Sequence, residues 1–265
     1  MAQQSKQGAF VWYDLFTKDV DAAKAYYTET VGWGTQEWDG PMDYTMFTVG
    51  GAPVGGVMPM PEGMPEGVPP HWLGYIHVDD LEASLAKVTE LGGQVRMPAT
   101  EIPGIGHFAT IADPQGAAVA LFSSSGDDQG EPIERNALGN FSWAELNTTD
   151  YEAAFEFYSK LLGWSITSDM DMGPENGMYR MYQRAGGPEG QSMGGMSNMA
   201  GKMNVPPHWL FYANVDDIDA AAKRVTSNGG KILFGPMSIP GDDKIVICDD
   251  PQNAGFALYA EGKKS

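Results

Sequence analysis

Apolar and polar positions along the chain switch between two rhythms. Phe10 to Phe16 is aromatic and apolar enough for a strand, and Asp19 then offers a helix N-cap before Val20-Asp-Ala-Ala-Lys-Ala-Tyr-Tyr-Thr-Glu-Thr-Val, which Gly32 ends. Trp72 to Val78 is strand-like again. Asp79 or Asp80 caps a helix in which Leu81, Leu85, Val88 and Leu91 have helical spacing, and Gly92-Gly93 stops it. The same pair recurs later, with a helix from about Thr149 to Leu162 and another from about Asp216 to Ser227 ahead of Asn228-Gly-Gly. Short strand-like runs follow the helices, among them Tyr44–Val49, Phe108–Ile111 and Val119–Phe122, separated by Gly and Pro turns. The predicted unit is one strand, one helix and several strands, occurring four times.

The four units form two copies of a larger repeat. Phe10-Val-Trp-Tyr-Asp-Leu aligns with Phe141-Ser-Trp-Ala-Glu-Leu, and Gly32-Trp33 with Gly163-Trp164, both at an offset of 131. Pro69-Pro-His-Trp-Leu then aligns with Pro206-Pro-His-Trp-Leu, Val78-Asp-Asp-Leu with Val215-Asp-Asp-Ile, and Asp113-Pro-Gln with Asp250-Pro-Gln, at an offset of 137. The second copy therefore carries six extra residues, most simply placed around 169–190. The expected organisation is a first domain over 8–124, a polar linker over 125–138 containing Gly and Pro, and a second domain over 139–262. Each domain is of ordinary size.

Composition narrows the function. The 265 residues carry 16 Lys and Arg against 35 Asp and Glu, a net charge of −19, which disfavours a binder of phosphate backbones. The acid is uneven: residues 1–125 hold 15 acids and 5 bases, while residues 135–265 hold 16 acids and 11 bases. A solvated surface explains this surplus most simply. No stretch offers about 18 uninterrupted apolar residues, so no membrane partner is expected and the default location is the cytoplasm. The single cysteine, Cys248, reads as a small core residue within Lys244-Ile-Val-Ile-Cys-Asp-Asp. Neither a nucleotide-binding Gly-x-Gly-x-x-Gly, a Gly-Lys-Ser/Thr phosphate loop nor a Gly-x-Ser-x-Gly elbow is present.

Tandem βαβββ units, Gly-Trp after the first helix and Asp-Pro-Gln before the last strand resemble the vicinal oxygen chelate superfamily, the glyoxalase, bleomycin-resistance and extradiol-dioxygenase group. Pro-Pro-His-Trp in each half is most similar to two-domain glyoxalase-like proteins that carry a provisional hydroxylase label. The resemblance implies an α+β fold of two tandem domains, each built from two βαβββ units that form a concave mixed sheet. It also implies metal ligands seven residues before each helix-capping Asp and seven after the Asp of Asp-Pro-x-Gly. Those places hold Trp12, Leu73 and Ala120 in the first copy and Trp143, Leu210 and Ala257 in the second, none of which can ligate a divalent ion. No metal and no cofactor is therefore expected.

The polar neighbours of these positions are the site candidates. Asp14 lies two residues beyond Trp12 and His71 two before Leu73; on antiparallel neighbouring strands Asp14 would approach His71, and Glu145 would approach His208. Such pairs could tie the structure, bind a ligand or act as acid and base, so Asp14, His71, Glu145 and His208 are candidate catalytic residues without an assigned role. Trp12 and Trp143 would supply a flat apolar wall, and methionines beside paired glycines, Met58 near Gly55-Gly56 and Met196 near Gly194-Gly195, would supply an adaptable rim. The expected function is binding of a small planar or hydrophobic molecule by Trp12, Asp14, Met58, His71, Trp143, Glu145, Met196 and His208. A glyoxalase-like lyase or hydroxylase/dioxygenase-type enzyme is the first alternative, and an interaction protein with filled cups the second. Assembly as a homodimer stays open.

Overall fold

A computed structural model describes residues 6–40, 42–64, 67–126 and 133–262. Within the predicted linker, residues 127–132 lie outside the described set. The first copy runs β1 (Phe10–Thr17), α1 (Val20–Thr30), β2 (Gly34–Glu37), β3 (Thr45–Val49), β4 (Ala52–Pro59), β5 (His71–His77), α2 (Leu81–Glu90), β6 (Gln94–Ile102), β7 (Gly106–Ala112) and β8 (Ala118–Ser124). The second runs β9 (Phe141–Asn147), α3 (Tyr151–Leu162), β10 (Ser165–Asp171), β11 (Met178–Gln183), β12 (Gly194–Ser197), α4 (Met199–Met203), β13 (His208–Asn214), α5 (Ile218–Ser227), β14 (Lys231–Ser238), β15 (Lys244–Asp249) and β16 (Gly255–Ala260).

Both copies build an eight-stranded mixed sheet of the same order, β2-β3-β4-β1-β5-β8-β7-β6 and β10-β11-β12-β9-β13-β16-β15-β14. In each, the first strand of a βαβββ unit pairs in parallel with the last, as β1 does with β4 and β13 with β16. The capping aspartates work as their sequence suggests: Asp19, Asp80, Asp150 and Asp217 each accept a hydrogen bond from a backbone N–H in the first turn of α1, α2, α3 and α5. Of Asp79 and Asp80, it is Asp80 that caps. The short helix α4 has no such signal and was not expected from the pattern.

Close packing groups the chain differently from the sequence repeat. One compact unit takes the described residues of Met1–Trp12, Gly74–Glu131 and Trp143–Trp209, and the other takes those of Tyr13–Leu73, Pro132–Ser142 and Leu210–Ser265. In the first unit Tyr158 stacks on Trp164 and Trp164 on Tyr182, at ring separations of 5.2 and 4.3 Å. Trp164 Nε1 donates to Gly8 O at 2.8 Å, and Tyr158 Oη donates to Asp113 Oδ2 at 3.2 Å. The second unit repeats this with Tyr27 stacked on Trp33, Trp33 Nε1 donating to Gly139 O at 2.7 Å, and Tyr27 Oη donating to Asp250 Oδ2 at 3.2 Å. These contacts assign the repeated motifs. Gly-Trp supplies a buried indole, and Asp-Pro-Gln supplies a buried carboxylate whose other oxygen accepts backbone N–H bonds from its own turn while a helix tyrosine from the other copy holds the remaining one. Burial raises both carboxyls above the ordinary aspartate value.

Candidate functional site

The central strands carry the candidate residues. In the first compact unit, β9 presents Trp143 and Glu145 on one side, alternating with buried Ala144 and Leu146 on the other. Trp143 Nε1 donates to Tyr179 Oη at 2.8 Å, Tyr179 Oη donates to Glu145 Oε2 at 3.0 Å, and Asn147 Nδ2 donates to Glu145 Oε1 at 3.1 Å. Trp143, Glu145 and Tyr179 are only partly buried, whereas Asn147 is buried. The result is an indole, a phenol and a carboxylate fixed to one another at a surface that solvent reaches.

Tyr179 lies at the start of β11, two strands from Glu145, with β12 between them. Its ring crosses β12 above Gly195, which stands in register with Glu145. A Cβ at residue 195 would fall 2.2 Å from the Tyr179 ring, so this residue must be glycine for the tyrosine to reach the carboxylate. The second compact unit holds the equivalent arrangement. Gly56 pairs with Asp14, Tyr44 crosses above it to donate to Asp14 Oδ1 at 2.6 Å, and a Cβ at 56 would meet the Tyr44 hydroxyl at 2.0 Å. Here the carboxylate is shorter and its residue only 5% exposed. Phe16, the counterpart of Asn147, supplies no amide; its ring lies 5.4 Å from that of His71.

The expected carboxylate–histidine pairs do not form. His71 Nδ1 lies 2.8 Å from Pro69 O and His208 Nδ1 lies 2.9 Å from Pro206 O, so each imidazole turns back onto its own Pro-Pro-His-Trp segment. A carbonyl two residues away is a local partner that no strand pairing has to supply, and it wins. Burial lowers the His71 pKa, with the Pro69 hydrogen bond opposing. Trp12 is partly exposed on β1, two residues from Asp14, and Met58 is half-buried on β4, two residues beyond Gly56. Met196 is fully buried and pairs with Leu146, on the opposite side of the sheet from Glu145. The structural counterpart of Met58 is Ser197, since Met58 pairs with Phe16 and Ser197 with Asn147.

Sequence reasoning missed Tyr44, Tyr179 and Asn147. A signal existed: Tyr44-Thr-Met-Phe repeats as Tyr179-Arg-Met-Tyr at an offset of 135, intermediate between the two offsets that define the repeat. The register adds a further step, because Gly56 matches Gly195 at 139, so the insertion comes in two parts and is partly recovered before Pro206.

The side chains at the positions where the family resemblance implies metal ligands do not fit a divalent ion. Leu73, Ala120, Leu210 and Ala257 are buried apolar groups, and among the described residues no three His, Cys, Asp or Glu side chains gather around one point. No helix among the described residues is long and apolar enough to cross a membrane.

Comparison with known proteins agrees with this architecture. The profile described as the Glyoxalase/Bleomycin resistance protein/Dioxygenase superfamily matches residues 9–121 and again 140–258. A Mycobacterium tuberculosis protein named "Putative glyoxylase CFP32" is 38% identical over 260 residues, covering 96% of this chain and 95% of its own. The anthracycline biosynthesis protein DnrV of Streptomyces peucetius is 30% identical over 264 residues, covering 95% and 92%. Among solved structures, the Mn(II)-bound glyoxalase from Novosphingobium aromaticivorans superposes with a TM-score of 0.65 at 16% identity, covering 97% of this chain and 83% of that one, which is a likeness of fold.

Proposed function

Because the chain belongs to the Glyoxalase/Bleomycin resistance protein/Dioxygenase superfamily yet has tryptophan, leucine and alanine where the fold's metal ligands stand, we propose that it binds a small planar, largely apolar molecule without a metal. The second copy supports this best. Trp143 is partly exposed and its indole is fixed by the bond to Tyr179, so a ligand stacking on it would not have to immobilise it first. A relative named for anthracycline biosynthesis supports the same ligand shape, since anthracyclines are fused planar polycycles. Titration of the purified chain with 1,8-dihydroxyanthraquinone tests the reading by tryptophan fluorescence and calorimetry. Saturable one-to-one binding is expected, retained in Trp143→Phe and lost in Trp143→Ala. Absence of saturable binding overturns it, as does a stoichiometric divalent ion in the purified protein that Glu145→Gln removes.

A relative named as a glyoxylase favours a second, catalytic reading. In it Glu145 takes a proton from the bound molecule and Tyr179 holds the carboxylate in place. Glu145→Gln would then abolish turnover of a hemithioacetal substrate while leaving its binding nearly unchanged.

A further inference from the structure

β14 is the outermost strand on one side of the second copy's sheet, and its outer side meets no further strand among the described residues. Leu233, Phe234 and Met237 are 56, 55 and 37% exposed on it. Phe234 pairs with Ile247 and Met237 with Ile245, so the apolar surface continues inward over the partly exposed isoleucines of β15. The equivalent edge of the first copy, β6, has the same pairing and the same two bulges at an offset of 137. It puts Arg96, Met97 and Thr100 where β14 has Leu233, Phe234 and Met237, and Glu101 where β14 ends on Ser238. Charge on an edge strand is a common guard against association. The first copy keeps that guard, and the second has exchanged it for apolar side chains.

Charge also indicates what covers this edge. A chain of net charge −19 repels another of its kind, so two chains approach most easily where acid is sparse. Residues 230–241 hold no acid and one base, Lys231 at the start of β14, and exposed Asp242 follows the strand's other end. About a twofold axis that crosses the strand near Phe234, two β14 strands run antiparallel, and the Lys231 end of each lies toward the Asp242 end of the other. The same operation on β6 sets Glu101 against Gln94, which offers no charge. Two bulges and Pro236, which has no N–H, prevent a continuous hydrogen-bonded ladder across the β14 edge, so side chains carry the contact. We propose that β14 is the surface through which two chains form a twofold homodimer, with Leu233, Phe234 and Met237 packed across the axis and Lys231 facing Asp242 of the partner subunit. This is independent of the ligand reading above.

Sedimentation velocity of the full chain at physiological salt, from about 1 to about 100 µM, tests it. A reversible monomer–dimer equilibrium is expected, and it should stop at two because a twofold contact closes on itself. Phe234→Glu should weaken it by about ten-fold or more. Ile166→Glu, at a 46% exposed position on the opposite edge strand β10, adds the same charge and should leave it within about two-fold. Lys231→Glu and Asp242→Lys should each weaken the dimer, and together they should restore it to within about three-fold of the original. All these positions are exposed, and circular dichroism of each variant separates loss of fold from loss of contact. A monomer throughout the range, a dimer indifferent to Phe234→Glu, growth beyond two chains, or a charge exchange that fails to restore association would overturn the proposal.

Discussion

The two copies place a carboxylate, a tyrosine and a glycine in the same relation, yet only one of them leaves the carboxylate near solvent. Asp14 sits beneath Tyr44 with Phe16 two residues on; Glu145 is one methylene longer, with Asn147 two residues on. The backbone is shared down to the register of Gly56 and Gly195. Accessibility therefore turns on two side chains of β1 and β9 and not on the sheet. A hydrogen-bonded carboxylate that is buried in one copy is, with those changes, partly exposed in the other.

Glycine substitutions should separate the copies' common frame from their differences with the largest effect. A Cβ at Gly194 would lie 2.0 Å from the Ala144 carbonyl and 2.2 Å from the Tyr182 hydroxyl, and backbone cannot step aside, so Gly194→Ala should cost about 3 kcal/mol in denaturant unfolding. The atoms nearest a Cβ at Gly195 all belong to Tyr179, whose ring can swing away, so Gly195→Ala should cost about 1 kcal/mol while breaking the bond to Glu145. Equal costs would contradict the strand-crossing role of Tyr179.

Next in size is the difference between the carboxylates. Asp14→Ala removes a buried carboxylate that accepts the Tyr44 hydroxyl and should destabilise by about 1–3 kcal/mol, whereas Glu145→Ala, at a partly exposed place, should cost less than about 1 kcal/mol. The reverse order would mean that Glu145 is the structural member of the pair.

A smaller effect is expected at His71. Its folded pKa is depressed below the ordinary 6.5 by burial, so the unfolded chain takes up the proton first and stability falls as pH drops below 6.5. His71→Gln should flatten that acid limb in urea midpoints measured from pH 7.5 to 5, and an unaltered limb would refute the assignment.

The smallest concerns Cys248, whose counterpart at an offset of 137 is Ile111, both fully buried on the third strand of their units. Burial, with Asp249 adding, pushes the thiol up to about 12. It should ignore a disulfide reagent at pH 8 until the protein unfolds, and rapid labelling of the folded chain would show that the copies' cores are not equivalent there.

Much of the fold was legible because its signals are local. A capping aspartate three residues before the backbone N–H it accepts from, a Gly-Trp after a helix and an Asp-Pro-Gln turn all announce themselves within a few positions. The site was less legible because its contacts cross strands. Tyr44 reaches Asp14 over β4 from 30 residues away, which depends on a register the sequence does not display. The methionines show how narrow the margin is. Met58 and Met196 are 138 residues apart where the register requires 139, and that single step moves Met196 to the buried side of the sheet. Expecting Asp14 to meet His71 failed for the opposite reason, since the imidazole had a nearer partner in Pro69.

The compact units take their residues from both copies: Tyr27 reaches Asp250 in one, and Tyr158 reaches Asp113 in the other. A nick between the copies would thus leave two fragments that each contain only part of both cores. Neither fragment would be a finished product, and each would be the other's missing template. The ancestral duplication has in this way given the chain the wiring of a two-part complementation reporter, in which restored cores would register that the halves have met.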